Sequence, residues 1–196
     1  MSPTPADVRR FWFGQPDPTR PATVDSSMWW KGGDALDAQI GAQFSGLMAR
    51  ALAGELSAWR STSEDTLALI LLLDQFPRNV HRGTAQAFAG DPLARELARA
   101  LDGGPEAWDL DARCFALMPF EHSEDLADQE HSVKRFGELA AGGDSKAAYY
   151  LEFAEKHRDI VARFGRFPHR NRVLGRVSSL AERSFLEDGG PSFGQG

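Results

Sequence analysis

Two segments of the chain repeat one arrangement of side chains that can bind an anion. Residues 76–79 read FPRN and residues 167–171 read FPHRN, and each follows a stretch that looks like a helix about to end. The planar guanidinium of arginine binds carboxylates and phosphates through paired hydrogen bonds, and asparagine and histidine add polar contacts. We therefore expect the two motifs to lie close together and to form one polar site.

The second motif belongs to the most basic part of the chain. Residues 157–176 hold six arginines and one aspartate, a formal charge of +5, although the whole chain has a formal charge of −6. Like charges at this density repel one another unless carboxylates or a ligand offset them. The pattern predicts a small anionic ligand, a phosphate or a carboxylate. The predicted ligand-binding residues are Gln75, Arg78, Asn79, Arg166, Arg170, Asn171 and Arg176.

Five further side chains are candidates for catalysis. Histidine is the side chain whose unperturbed pKa lies near neutral pH, so His122, His157 and His169 are candidate proton-transfer groups. Glu124 lies two residues after His122. Asp74 follows seven apolar residues and is expected to be buried, and a buried carboxylate requires a partner. The same side chains could instead form a polar network that only stabilises the fold.

A metal site is an alternative chemistry. Glu124, Asp128 and His131 are spaced i, i+4 and i+7, which places them on one face of a helix. Asp128-x-x-His131 resembles half of the Glu-x-x-His pattern of di-iron bundles, but a second copy of the pattern is missing. A solvated acidic face explains the same spacing, so a metal-dependent enzyme remains one of the alternatives.

Other motifs of known chemistry are incomplete, and we predict no cofactor. The HRD triplet at 157–159 copies the catalytic loop of protein kinases, but Phe164 replaces the expected asparagine and a Gly-rich loop is missing. The HSE triplet at 122–124 is similar to part of the zinc-deaminase signature. Those enzymes need paired cysteine ligands, and Cys114 is the only cysteine.

Size and composition fit one soluble globular domain over residues 1–196, with 42% hydrophobic and 26% charged residues. A single cysteine allows no internal disulfide, and the N-terminus lacks an apolar signal segment, so we expect a cytoplasmic protein. The longest apolar run has seven residues where a membrane span needs about 20, which predicts no membrane partner. A pI near 5.4 argues against double-stranded nucleic acid. The oligomeric state is left open.

Helix signals recur along the chain, and strand signals do not. Apolar residues follow a period of 3.6 over residues 36–52, and Gly54 is suited to end that helix. Residues 14–33 are rich in glycine, proline and aspartate and are predicted as a loop. The tail at 188–196 is predicted to be loose except for Phe193. We expect seven or eight helices, with short connections that favour antiparallel neighbours.

Prolines set two of the predicted helix ends. The helix over 63–76 should end before Pro77, because a residue that precedes proline is disfavoured in α geometry. The helix over 110–118 should end before Pro119 for the same reason. The SLAE sequence at 179–182 is a capping box and predicts the start of a last short helix.

Several longer motifs together resemble a bacterial family known as the domain of unknown function numbered nine hundred and twenty-four. They cover nearly the whole chain and comprise FWF at 11–13, WW at 29–30, LLDQFPRN at 72–79, HSED at 122–125, DQ at 128–129, HRDI at 157–160, RFGRFPHRN at 163–171 and LGR at 174–176. The resemblance implies an all-helical array similar to tetratricopeptide-repeat proteins, without the repeat consensus. It implies no activity, because the family's name records that none is assigned.

Two classes of function follow from these residues. The first is a cytoplasmic protein that binds or acts on a small anionic ligand at the Arg/His/Asn cluster. The second is a non-catalytic helical scaffold for a protein partner, in which the cluster is structural. A groove lined by the arginines would favour the first class. Arginines that are fully engaged in internal salt bridges would favour the second.

Overall fold

The computed structural model describes residues 2–194, and the regular secondary structure in that part of the chain is helical throughout. The α-helices are α1 (Pro5–Phe13), α2 (Ser27–Lys31), α3 (Asp34–Leu52), α4 (Ser63–Ile70), α5 (Phe76–Val80), α6 (Asp91–Leu101), α7 (Leu110–Glu121), α8 (Leu126–Ala140), α9 (Ser145–Phe164) and α10 (Leu180–Glu187). The predicted all-α class is confirmed, and a likeness to tetratricopeptide repeats stays a prediction. Within residues 2–194 no helix has the length and apolar character to cross a membrane.

The main hydrophobic core forms around α1, α4 and α7. Trp12 is fully buried and packs against Phe115 and Phe76, with ring centroids 5.4 and 5.5 Å apart. The indole nitrogen of Trp29 donates to the carbonyl of Trp12 at 3.0 Å and fixes α2 to this core. The prediction of a loop over 14–33 was therefore wrong for its last part. The five-residue helix α2 forms there, and it buries the side chain of Trp29 in the core.

The predicted end of a helix before Pro77 was also wrong. A π-helical turn (Leu71–Gln75) joins α4 to α5, so one helix continues through the proline. The N–H of Phe76 reaches the carbonyl of Leu71, five residues earlier. A proline has no N–H, and its ring clashes with the carbonyl four residues before it in a regular helix. The wider turn accommodates the proline.

Pro119 likewise fails to end α7, which continues to Glu121. The end of α7 is held from α8 by Gln129, whose side chain is fully buried. Its Nε2 donates to the carbonyl of Glu121 at 2.6 Å and to that of Ser123 at 2.6 Å. These bonds satisfy carbonyls that have no partner within the helix. α7 therefore ends at Glu121, where Gln129 binds its last carbonyl, and not at Pro119.

A smaller apolar cluster lies at the C-terminal end of the chain. Ile160 and Val161 of α9 pack with Phe167, and Phe193 packs against them. Gly165 ends α9 in the left-handed conformation, with φ of 69°, as a glycine allows without strain. The predicted anchoring of the tail by Phe193 is confirmed. The last two residues of the tail, 195–196, lie outside the described part of the chain.

Candidate functional site

Asp74 is the centre of a buried polar cluster in the π-helical turn. Its side chain is fully buried, and its carboxylate lies 2.8 Å from Nδ1 of His122 and 3.1 Å from Nη1 of Arg78. The amide of Gln75 donates to the same carboxylate at 2.6 Å. Burial raises the pKa of Asp74, but Arg78 and His122 outweigh that effect and hold the pKa well below its usual range. The predicted burial and pairing of Asp74 are confirmed.

His122 connects this carboxylate to a pocket. Burial lowers the pKa of His122, the positive charge of Arg78 lowers it further, and Asp74 opposes both effects. The histidine is therefore neutral at neutral pH. An ionised carboxylate can only accept hydrogen bonds, so Nδ1 carries the proton and Nε2 is the free base. His122 also lines the pocket.

The pocket has a volume of about 370 Å³. Five of the predicted site residues line it, namely Gln75, Arg78, Asn79, His122 and His157. Lining residues that the sequence did not indicate are Trp29, Trp30, Gly32, Arg82, Met118, Glu121, Tyr149, Tyr150, Phe153, Phe193 and Gly194. The lining thus combines polar and cationic side chains with several aromatic rings. The i, i+4 spacing of Arg78 and Arg82 was a signal that could have identified Arg82.

A second histidine–carboxylate pair lies beside the first. Nδ1 of His157 is 3.0 Å from Oε1 of Glu121 and 2.8 Å from the carbonyl of Phe153. The ring centroids of His157 and His122 are 6.1 Å apart. Glu121 and His157 are both buried, so the pair is shielded from solvent. The pocket therefore holds two imidazoles, each fixed through Nδ1.

The two Phe-Pro motifs lie close together, as predicted, and an arginine of each contacts Asp91, a partner that the sequence did not indicate. Arg78 donates to both carboxylate oxygens of Asp91, at 2.9 and 3.0 Å, and Arg170 donates to Oδ2 at 3.2 Å. Both guanidinium groups lie over the ring of Phe88, 5.6 and 4.5 Å from its centroid. Burial lowers the pKa of Arg170 to about 10 although Asp91 opposes the shift. This junction joins α5, α6 and the second motif, and Arg170 lies outside the pocket lining.

The remaining predicted anion contacts bind carboxylates of the protein. Arg176 forms two hydrogen bonds with Glu124, at 2.6 and 2.9 Å. Arg166 forms two with Glu182, at 2.6 and 2.9 Å, and this pairing lowers the pKa of Glu182 to about 2. Asn171 accepts from Arg176 at 2.9 Å. The arginines of the basic segment therefore do not gather at one point. Carboxylates that are distant in sequence neutralise much of the positive charge of the segment.

His169 is buried and does not line the pocket. Its ring lies 5.6 Å from the ring of Phe167 and 5.9 Å from that of Phe193. Within residues 2–194, Nδ1 of His169 has no hydrogen-bond partner. Burial lowers the pKa of His169 to about 3, and the charge of Arg170 adds to this effect. His169 is therefore an uncharged component of the packing around the second motif.

This shift predicts a pH dependence of stability. In the unfolded state His169 binds a proton below about pH 6.5, whereas in the folded state it stays neutral until the pH approaches 3. The contribution of His169 to the free energy of unfolding is therefore complete above pH 6.5. The contribution falls by about 1 kcal/mol per pH unit as the pH decreases from 6.5 towards 3. Urea unfolding of His169→Asn at pH 6.5 and 5.0 should show a correspondingly shallower dependence than the wild type. Equal dependences of the variant and the wild type would contradict the assignment.

The candidate metal ligands bind different partners. Asp128 accepts from Arg99 at 2.7 Å and from Ser123 at 2.8 Å. Nε2 of His131 lies 2.9 Å from Asp102, and Glu124 is bound by Arg176 as described. In the described part of the chain, no group of three or more His, Cys, Asp or Glu side chains has the arrangement of a metal site. Helical spacing alone did not bring these three side chains to one point.

Comparison with known proteins gives a family and a fold. No curated protein matches the chain. A solved structure described as a protein of unknown function, ATU0120, from Agrobacterium tumefaciens, is 40% identical. The alignment covers 94% of this chain and 97% of that one, with a TM-score of 0.80. The family described as "Bacterial protein of unknown function (DUF924)" matches residues 8–190. Because the family model covers most of the chain, the chain belongs to the DUF924 family.

Proposed function

We propose that the protein binds a small anionic ligand in the pocket and that His122 exchanges a proton with it. The observation that carries this proposal is the Asp74–His122 pair. A buried, ionised carboxylate fixes Nδ1 of a neutral imidazole that lines the pocket. This arrangement orients the histidine and stabilises the imidazolium that forms when Nε2 accepts a proton. A residue that served only to pack the core would not need a fixed tautomer at a pocket wall.

Arg82 is the cation that we assign to the ligand. Its side chain is 37% exposed, compared with 9% for Arg78, and it lines the pocket. Its nearest carboxylate is that of Asp37 at 3.6 Å, a longer distance than in the pairs of Arg166 and Arg176. Arg82 can therefore exchange its long contact with Asp37 for a charge-assisted hydrogen bond to a ligand. The aromatic side chains of the lining would contact the remainder of the ligand.

The test is calorimetric titration with phosphate and a panel of mono- and dicarboxylates, with chloride at equal ionic strength as the control. Loss of one charge-assisted hydrogen bond, about 1.5–3 kcal/mol, corresponds to at least a tenfold change in Kd. We therefore expect Arg82→Gln to weaken binding of the best anion by at least tenfold. Arg50→Gln removes a surface arginine that is paired with Glu55, and its affinity should match the wild type. Failure of every anion to bind would refute the proposal.

The scaffold is a second candidate, and two observations favour it. Arg166 and Arg176 are engaged in bidentate internal pairs, which is expected if the basic segment is structural. Val177 and Leu180 are 87% and 76% exposed, which is unusual for apolar side chains and suits contact with a protein partner. If the wild-type protein bound none of the anions, the scaffold would be the better-supported function.

For either function we propose a cytoplasmic protein, since Cys114 is a buried free thiol.

A further inference from the structure

The C-terminal segment reaches into the pocket and engages two of its functional groups. The ring of Phe193 stacks on His157, with centroids 3.6 Å apart and planes inclined by 18°. The next residue, Gly194, accepts a hydrogen bond from Nη1 of Arg82 at 2.8 Å through its carbonyl oxygen. One aromatic ring and one acceptor oxygen therefore meet one imidazole and one guanidinium. Both residues of the segment line the pocket.

The backbone conformation of Phe193 is unfavourable in this placement. Its φ is 51°, in the left-handed region that bulky side chains avoid. A residue keeps such a conformation only when surrounding contacts offset its cost. Those contacts are the rings of His157, Phe167 and His169, together with the adjoining bond to Arg82. The contacts of Phe193 and Gly194 with the pocket therefore hold this conformation in place.

We propose that Phe193 and Gly194 occupy the ligand site as an internal surrogate, and that the external ligand is an aromatic carboxylate. The ligand's ring would replace that of Phe193 on His157, and its carboxylate would replace the Gly194 carbonyl at Arg82. A carboxylate binds a guanidinium more strongly than a neutral carbonyl does, because the bond is charge-assisted on both sides. This inference rests on the proposed function, and it specifies the class of ligand for the same pocket.

The chemistry of the surrogate defines the probe. 3-Phenylpropanoyl-glycine carries the ring, the two-carbon linker, the amide and the glycine of Phe193-Gly194, and it ends in a carboxylate. 3-Cyclohexylpropanoyl-glycine has similar bulk but no aromatic ring. We expect wild-type protein to bind the aromatic probe more tightly than the cyclohexyl one, since only the aromatic ring stacks on the imidazole.

Phe193→Ala in the full chain removes the internal competitor. We expect it to bind 3-phenylpropanoyl-glycine at least tenfold more tightly than the wild type, as measured by calorimetric titration. Phe185→Ala is the matched control, because Phe185 packs on Phe164 in the same C-terminal cluster and does not line the pocket. Its affinity for the probe should equal that of the wild type.

The outcomes separate this inference from the proposed function. If simple carboxylates or phosphate bind the wild type but Phe193→Ala gains no affinity for the aromatic probe, the surrogate is refuted and the anion site stands. If no anion binds wild type or variant, the proposed function fails as well. Should Phe193→Ala not fold, Phe193→Leu keeps apolar bulk without the planar ring. A gain of affinity in that variant supports the surrogate, and an unchanged affinity overturns it.

Discussion

Asp74→Ala should lower the free energy of unfolding by about 3–5 kcal/mol, the cost of removing one partner of a buried ion pair. The substitution leaves Arg78 with one carboxylate fewer in a buried environment, and it deprives Nδ1 of His122 of its acceptor. Because the aspartate is fully buried, water cannot replace the lost contacts without rearrangement of the helix. Urea unfolding at pH 7, followed by circular dichroism, measures the effect.

The matched control is Glu96→Ala. Glu96 forms an ion pair with Arg60 at 2.7 Å, but its side chain is 59% exposed. Exposed pairs contribute about 0–1 kcal/mol, so the unfolding midpoint of this variant should stay close to that of the wild type. An Asp74→Ala protein with the same midpoint as Glu96→Ala would show that the buried cluster does not stabilise the fold.

Gly90→Ala should destabilise the fold by about 1–3 kcal/mol or more, the usual cost of overpacking. A Cβ at this position would lie 2.2 Å from the carbonyl oxygen of Leu73, a backbone atom that no rotamer change can move. Leu73 belongs to the π-helical turn, so the glycine lets the start of α6 approach this turn closely. That approach places Asp91 within reach of Arg78.

Gly46→Ala is the control with the opposite expected sign. Gly46 lies on the exposed face of α3, and an added Cβ would meet no atom within 4 Å. Alanine in a helix interior is more favourable than glycine by about 0.8–1.0 kcal/mol. Thermal unfolding should therefore show a higher Tm for Gly46→Ala and a lower one for Gly90→Ala. A Gly90→Ala protein with the Tm of the wild type would show that the close contact with Leu73 relaxes without cost.

Local features of the fold could be predicted from the sequence. The capping box of Ser179 and Glu182 forms as expected, because all its hydrogen bonds lie within four consecutive residues. Gly54 takes a φ of 76° after α3, a conformation that glycine adopts readily. The pairing of Asp74 could also be inferred, since a carboxylate within an apolar helix has few alternatives.

Features that depend on an irregular turn or on a partner in another element could not be predicted. Pro77 and Pro119 are ordinary stop signals, but a π-helical turn accommodates Pro77, and α7 ends only at Glu121, whose carbonyl accepts from Gln129 of α8. The partner of Arg166 is Glu182, and nothing in their separation along the chain indicates the pairing. Arg82 lines the pocket although it lies three residues beyond the FPRN motif, so the motif itself did not indicate it.

The π-helical turn adds one residue to this helix with little change in the direction of the residues that follow it. The N–H of Phe76 bonds to the carbonyl of Leu71, five residues earlier, where an α-helix uses the fourth. Loss of one residue between Leu71 and Gln75 would restore the α-helical bond, and the residues on both sides would keep their directions. Arg78 would still face Asp91, but Pro77 would stand in a regular helix, where its ring clashes with the carbonyl four residues before it. The extra residue thus makes room for the proline, and we expect a homologue that is one residue shorter here to lack the proline while it keeps the arginine.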